Sequence, residues 1–453
     1  MVRRRSRVVR LALAGVLAVG ASALAMTHGA GLADAAPCSN GGTGSSLLDS
    51  GSLSTGSLGS GSAGSSGSSG WGSSDRPGLG PQGPLPIYLG ANTRTVSWVT
   101  GPRSPNRTFS RFGISGTDLG ISWDNGSGQT LMAFGDTFGN CNVVGQQWRH
   151  NVLLRTDDTD LRNGVRVPNG VAGDVTSGTV IASGQPNYAQ ELIPSLGISQ
   201  VEVTTIPTAA MSLPWGAGHR QFINYMSVRS WGAPGHWVTN FSAIAYSDNN
   251  GQTWTTDQNT ILVNANTPIT VGLPFGLPPA TANNGKFQQN AYVRGKPGSD
   301  EAQYVYQFGT PNGRFGAAFL CRFKPADVLN LADYEYWNGK TWVDDIANMG
   351  DLEAAVVPAP VTELSVAWSP YLSKYVMVDG DNEIVLRTAD HPQGPWSAPR
   401  TLVRPGAVVL YGPMMLPQSP ALTGTGKDLY INASRWSDYN VMLLHTDLSK
   451  VRR

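Results

Sequence analysis

The chain has 453 residues, of which 55 are Gly and 30 are Pro, and only 14% carry charge, well under the roughly 25% of an average soluble domain. That composition excludes helical bundles and coiled coils, while 40% hydrophobic residues with 13 Trp, 14 Tyr and 12 Phe exclude general disorder. The formal charge is +1, and beyond residue 36 it is −3, from 27 Lys and Arg against 30 Asp and Glu. A near-neutral body has no electrostatic footprint for a phosphate backbone, so nucleic acid is not an expected partner.

Arg3, Arg4, Arg5, Arg7 and Arg10 precede the apolar run Leu11–Met26, and Ala33-Asp34-Ala35 offers the small residues of a cleavage site. This is the pattern of a secretory signal peptide, and the run is shorter than the roughly 20 residues of a spanning helix. Residues 1–36 therefore read as a signal for general secretion. No membrane insertion is expected after cleavage, and the mature protein is expected to be secreted or associated with the cell envelope. Residues 41–74 hold 11 Gly and 14 Ser, too little apolar surface to fold, so residues 37–83 read as a disordered Gly/Ser-rich linker. Export permits disulfides, but which of Cys38, Cys141 and Cys321 pair stays open. No Cys/His metal spacing is present, and neither a metal nor a cofactor is identifiable.

Residues 84–453 read as short strands separated by turns: Thr130–Gly135, Gln221–Val228, Gln303–Phe308, Tyr375–Val378, Glu383–Arg387 and Asp428–Ile431. The best helical window, Pro325–Leu331, spans only two turns. A degenerate repeat of turn plus Trp runs through them. Ser247-Asp-Asn-Asn-Gly251-Gln-Thr-Trp254 has the pattern of an Asp-box hairpin, Ser122–Gly126 a partial copy, and Trp337–Trp342 and Ala389–Trp396 close further units. The spacing predicts an all-β, five-bladed β-propeller with blades near 110–160, 195–256, 285–345, 360–400 and 407–450. A pair of β-sandwiches is the structural rival.

No nucleophile elbow, phosphate loop or dinucleotide fingerprint stands in a fitting context. What remains are carboxylates flanked by glycine. Asp118 in Thr117-Asp118-Leu119-Gly120 and Asp136 in Phe134-Gly135-Asp136-Thr137 fall on adjacent strands of one unit. Asp136 ends an apolar stretch, and desolvation there raises a carboxyl pKa toward the range of a general acid. Two carboxylates facing one cleft are the minimum set for glycoside hydrolysis. The residues alone also allow a turn cap at Asp118 and a backbone acceptor at Asp136.

These two motifs, with Trp148–Asn151, Glu202–Pro207, Tyr225–Val228, Ser247–Trp254, Gly313–Gly316, Tyr336–Gly339, Glu363–Trp368, Leu386–Ala389, Gly394–Trp396 and Ser434–Trp436 with Tyr439, come in an order that resembles the domain of unknown function 4185. The resemblance covers essentially all of residues 90–450 and extends to the endo-D-arabinanases of glycoside hydrolase family 183. Those are secreted actinobacterial enzymes that cut the D-arabinan of arabinogalactan and lipoarabinomannan. It implies a five-bladed propeller whose first blade carries two essential aspartates, Asp118 and Asp136 by motif, and a D-arabinan polysaccharide of the cell envelope as partner. Asp136 is expected as acid and Asp118 as base in an inverting reaction, with the roles open to exchange.

Sugar-binding candidates are Glu202 and Glu363 at strand starts, the donors Arg149, Asn151, Arg314 and Arg435, and the aromatics Trp123, Trp215, Trp436 and Tyr439. Asp379, Asp381 and Glu383 are expected to be solvated, Arg387 to form an inter-strand pair, and Trp254 and Trp396 to be structural. The protein is read as a monomer. A sialidase-like enzyme and a noncatalytic carbohydrate-binding propeller are the alternative functions, although the arginine triad of a sialidase is not evident.

Overall fold

In the second strand of the first sheet, Leu131 and Ala133 pack to one side while Met132 and Phe134 pack to the other. In the fourth sheet, Val376 and Val378 face one neighbour and Tyr375 and Met377 face the other. Successive side chains of a strand point to opposite faces, and here both faces are buried. Such strands read as continuous apolar runs rather than alternating ones.

The computed structural model describes residues 38, 79–265 and 276–451; the expected signal peptide and most of the expected linker lie outside them. Five antiparallel sheets follow in chain order. The first holds Leu119–Asp124, Thr130–Phe134 and Val152–Thr156, and the second Thr204–Trp215, Gly218–Trp231, Trp237–Ser247 and Thr255–Val263. The third runs Gln289–Arg294, Val305–Thr310, Gly316–Phe323, Glu335–Trp337 and Trp342–Val343, with Val357–Val361 added against Gly316–Phe323. The fourth holds Leu364–Ser369, Lys374–Asp379, Ile384–Ala389 and Arg400–Val403. The fifth takes Leu410–Met415, Asp428–Arg435 and Asn440–Asp447 from the C-terminal end, and Thr93–Trp98 as its outermost strand.

The first strand of each sheet touches the first strand of the next, and that of the fifth touches that of the first. The ring is a closed five-bladed propeller. Thr93–Trp98 pairing with Asn440–Asp447 joins the two ends of the folded chain and covers what would be an exposed edge. Between every two neighbouring blades lies one wedge of buried apolar side chains. Each fully buried large side chain in a wedge contributes about 1.5–3 kcal/mol.

Two of the prolines in the inner strands mark irregularities. Pro207 and Pro413 each sit at a register shift, where a missing N–H removes no ladder bond. The Pro325–Leu331 window forms only isolated 3-10 turns, Pro325–Asp327 and Leu331–Asp333.

The Asp-box turn joins the third and fourth strands of the second blade. Ser247 Oγ accepts from the Gly251 N–H at 2.9 Å, and the Trp254 indole donates to the Gly251 carbonyl at 3.0 Å. The Ala389–Trp396 turn occupies the same place in the fourth blade. Ser122–Gly126 and Trp337–Trp342 do not: they lead into other hairpins of their blades, because turn chemistry alone does not mark the position within a blade. Arg155, fully buried, donates to the carbonyls of Asn250 and Ser177, fastening the second blade's Asp-box to the first blade.

The folded part begins earlier than residue 84. Gln82 is buried, donates to the Thr100 carbonyl and accepts from the Arg103 N–H. Cys38 pairs with Cys141 in a disulfide and Cys321 is a buried free thiol.

Gly251 has φ +80, and a Cβ there would stand 2.6 Å from Leu153. Gly251→Ala is expected to cost on the order of 1–3 kcal/mol, read as a lower Tm in thermal unfolding.

Candidate active site

In an antiparallel blade the start of the inner strand and the loop after the second strand share one end. Asp118 and Glu363 each immediately precede an inner strand, and Asp136, Arg314, Asp381, Trp436 and Tyr439 lie just after second strands. Blade topology alone therefore gathers them on one rim.

Asp118 is held in an unusual backbone. The next two residues, Leu119 and Gly120, have φ of +68 and +78, left-handed values that a buried Leu adopts only when its surroundings enforce them. The fifth blade does so. Ser434 Oγ accepts the Leu119 N–H at 2.7 Å, Asn432 donates to the Gly120 carbonyl at 3.0 Å, and the Tyr411 hydroxyl donates to Asp118 Oδ2 at 2.9 Å. Tyr411 stands where its strand loses register before Gly412-Pro413, a bulge that re-aims side chains.

Asp118 Oδ1 is buried with no hydrogen-bond partner among the described residues, and a Cβ on Gly135 would lie 2.5 Å from it. Glycine at 135 thus makes room for the first carboxylate one residue before the second. Thr117 and Thr137, both fully buried, join their hydroxyls at 2.7 Å and lock the two aspartate-bearing segments together.

Part of Asp118 meets solvent, yet its carboxyl is closely enclosed. Burial, then the like charge of Asp136, push it up to about 8. Asp136 Oδ1 accepts from the Trp148 indole at 2.8 Å and the Thr204 hydroxyl at 2.6 Å. Burial raises its pKa to about 7, against the pull of those two donors. Among the described residues, no donor reaches Oδ2. His150 completes this side: its Nδ1 lies 3.2 Å from Thr204 Oγ1, and burial lowers its pKa to about 4, leaving it neutral.

Beyond Tyr411 lies Arg314, almost fully buried and gripped by Glu363 through bonds of 2.9 and 2.6 Å, with Asp381 at 3.5 Å. Its guanidinium is 4.9 Å from the rings of both Tyr411 and Trp436 and 5.5 Å from Trp237, within cation–π range. Burial works against its charge, but Glu363, then Asp381 and Tyr411, hold it above the ordinary arginine range. Tyr439 closes the group: burial, then Asp118, Tyr411 and Asp136, keep its hydroxyl protonated far above the usual pH.

A family model described as "Domain of unknown function (DUF4185)" matches residues 103–445, both aspartates included. The chain belongs to the DUF4185 family. Among curated proteins it is 27% identical, over 72% of its length and 81% of the relative's, to notoamide biosynthesis cluster protein J of Aspergillus sp. (strain MF297-2). Solved structures similar to it include the catalytic domain of a GH62 alpha-L-arabinofuranosidase of Coprinopsis cinerea, at 12% identity and TM-score 0.41, covering 80% of this chain and 99% of that one. A glycosyl hydrolase of Bacteroides ovatus matches at 10% identity and TM-score 0.40, covering 80% and 97%.

In this DUF4185 chain the structure brings Asp118, Asp136, Arg314, Glu363, Trp436 and Tyr439 together and places the other candidates elsewhere. Arg149 is buried and donates to the backbone carbonyls of Gln147, Ala189 and Gly113. Asn151, fully buried, binds the Ile193 and Thr205 carbonyls and the Leu192 and Ile193 N–H groups. Glu202 is buried, accepting from the Ser227 hydroxyl and the Leu196 N–H. Arg435 pairs with Asp438 within its own loop. These four groups are spent on scaffold bonds, which a sequence pattern does not distinguish from bonds to a sugar. Trp123 is buried in a wedge and bonded to Gln221, and Trp215 packs under Arg220 at the far end of its strand.

Asp379 is buried and paired with Arg387 rather than solvated; Asp381 is exposed, as expected, and also reaches Arg314 and the Trp436 indole, the latter at 3.1 Å. Tyr411, Trp148, Thr204 and His150 escaped sequence reasoning as partners of the aspartates. Trp148, His150 and Thr204 stood inside quoted motifs, Trp148–Asn151 and Glu202–Pro207, and Tyr411 stood in none.

A carboxyl whose folded-state pKa lies above its ordinary value keeps a proton that the unfolded chain releases. Its stabilisation is full below the unfolded pKa and is lost as pH rises through the folded one. For Asp118 that interval runs from 3.8 to about 8. Asp118→Asn is expected to flatten the fall of Tm across it and to be at least as stable as the native chain at about pH 9, measured by thermal unfolding against pH.

Proposed function

We propose that the protein is an exported glycoside hydrolase that cuts within furanose polymers, namely the D-arabinofuranosyl linkages of cell-envelope arabinan. The observation that carries this reading is the pair itself: Asp118 and Asp136, from one blade and one rim, each raised by burial into the neutral range, Asp118 further by the charge of its partner. Such a pair holds one proton between its members near neutrality, the state that acid/base hydrolysis of a glycoside needs. The resemblance to the endo-D-arabinanases supports the substrate, and the Cys38–Cys141 disulfide supports an oxidising compartment.

The roles exchange relative to the sequence expectation. Two donors on Oδ1 stabilise the Asp136 anion, whereas Asp118 keeps an oxygen with no donor among the described residues and faces a second negative charge. The last proton stays on Asp118, which protonates the leaving oxygen. Asp136 acts as the carboxylate through Oδ2. Trp436 and the Arg314–Glu363 pair supply an aromatic face and polar edges to a sugar ring at the same rim.

Incubation of the exported protein with purified arabinogalactan tests the reading. Oligosaccharide release is expected, with Asp118→Asn and Asp136→Asn each slower by about 10²–10⁴-fold while still folded. Glycan binding without release would instead indicate a lectin. The rate should be bell-shaped: Asp136 gains a proton as pH falls below about 7, and Asp118 loses one as pH rises above about 8. The Tyr411 hydroxyl bond lowers the Asp118 pKa, so Tyr411→Phe is expected to move the alkaline limb to higher pH.

A further inference from the structure

Outward from Arg314 the same loop carries Phe315, whose ring is 57% exposed. Isolated exposed apolar side chains are ordinary, but this one is built into place. It stacks on His236 of the second blade, ring centroids 4.5 Å apart and planes at 29°. The two loops are joined by the Arg314 N–H donating to the Gly235 carbonyl at 2.9 Å and by the Asn312 amide donating to the Trp237 carbonyl at 2.5 Å. The His236 loop is itself closed by bonds between Gly232 and His236 at 2.9 Å and between His236 and Ala233 at 2.8 Å. Gly235 has φ +77, and a Cβ there would meet the Phe315 ring at 3.1 Å. Glycine leaves the space that the ring occupies.

The platform is continuous with the candidate active site. Phe315 follows Arg314 in the chain, Arg314 lies against Tyr411, and Tyr411 binds Asp118. One residue is buried and the next exposed, so the line runs from the carboxylate pair to the solvent edge of the rim. A sugar ring presents C–H groups to an aromatic face and hydroxyls to polar edges, and an aromatic fixed on one side keeps its other side available at little entropic cost.

From this we infer that Phe315, backed by His236, is a subsite for a second furanose residue of the same polymer, distal to the bond that is cut. The inference rests on the proposed hydrolase reading and deepens it. A subsite away from the cleavage point favours internal segments of a chain over a single sugar.

The test compares Phe315→Ala and Phe315→Trp with the native protein on polymeric D-arabinan and on a single-sugar aryl arabinofuranoside. Phe315→Ala is expected to raise KM for the polymer by about tenfold, to shift the sizes of the released oligosaccharides, and to cost several-fold less on the aryl glycoside. Phe315→Trp is expected to restore most of the polymer KM. An unchanged polymer KM and product pattern, or an equal loss on both substrates, overturns the subsite. If the native protein releases nothing from the polymer, the hydrolase reading fails. Titration of an arabinan oligosaccharide into Asp118→Asn and into Asp118→Asn/Phe315→Ala then decides the subsite alone: weaker binding by the double variant supports it, and equal binding overturns it.

Discussion

Two carboxyl groups crowded onto one blade edge, where water solvates them poorly, set the terms for everything around them. Burying an ionised carboxylate is costly unless it finds donors or keeps its proton. Asp136 finds two donors, Trp148 and Thr204. Asp118 finds Tyr411 for Oδ2, and among the described residues no hydrogen bond of good geometry for Oδ1. The asymmetry gives two chemically identical side chains different hydrogen-bond surroundings.

The geometry that creates this asymmetry is paid for at a distance in sequence. Asp118 and Tyr411 are 293 positions apart, and the left-handed Leu119-Gly120 pair is held by Ser434 and Asn432 of the last blade. The first and fifth blades are neighbours only because the ring closes, and the ring closes because Thr93–Trp98 adds the outermost strand to Asn440–Asp447. The site thus depends on closure of the whole fold. The second–third loop of the first blade, which presents Trp148 to Asp136, is tied further by the Cys38–Cys141 disulfide.

A second division separates groups that build the rim from groups that face outward on it. Arg149, Asn151 and Glu202 are buried and bind backbone or hydroxyl partners. They hold loops in place, as buried polar groups generally must when every donor and acceptor needs a partner. Arg314 is also buried and paired, but its partners Glu363 and Asp381 are side chains on a neighbouring blade, and aromatic rings surround it. Its charge is balanced locally, so it can stand against Tyr411 while shifting the Asp118 pKa only as a minor influence.

The architecture was legible in the residues because it is local. Apolar runs of strand length and Gly- and Asn-rich turns, some followed by a Trp, repeat along the chain. The five expected blade ranges each hold the core of one sheet, whereas the closing strand Thr93–Trp98 falls outside them and the added strand Val357–Val361 begins between two of them. The aspartate pair was legible too, since Gly135-Asp136 and Asp118-Leu119-Gly120 carry their backbone requirements in adjacent residues. What the sequence could not rank was equivalent-looking polar side chains: Arg149 and Arg314 both stand in motifs, and only packing sends one to carbonyl oxygens and the other to a carboxylate among aromatic rings. Tyr411 carried no signal at all, lying in an ordinary strand next to Gly-Pro. Sequence by itself determined the strands, the turns and the glycines, because those follow from neighbours in the chain. Tertiary structure decided which oxygen of each aspartate is hydrogen-bonded and by which donor, because those depend on groups that only ring closure and loop packing bring within reach.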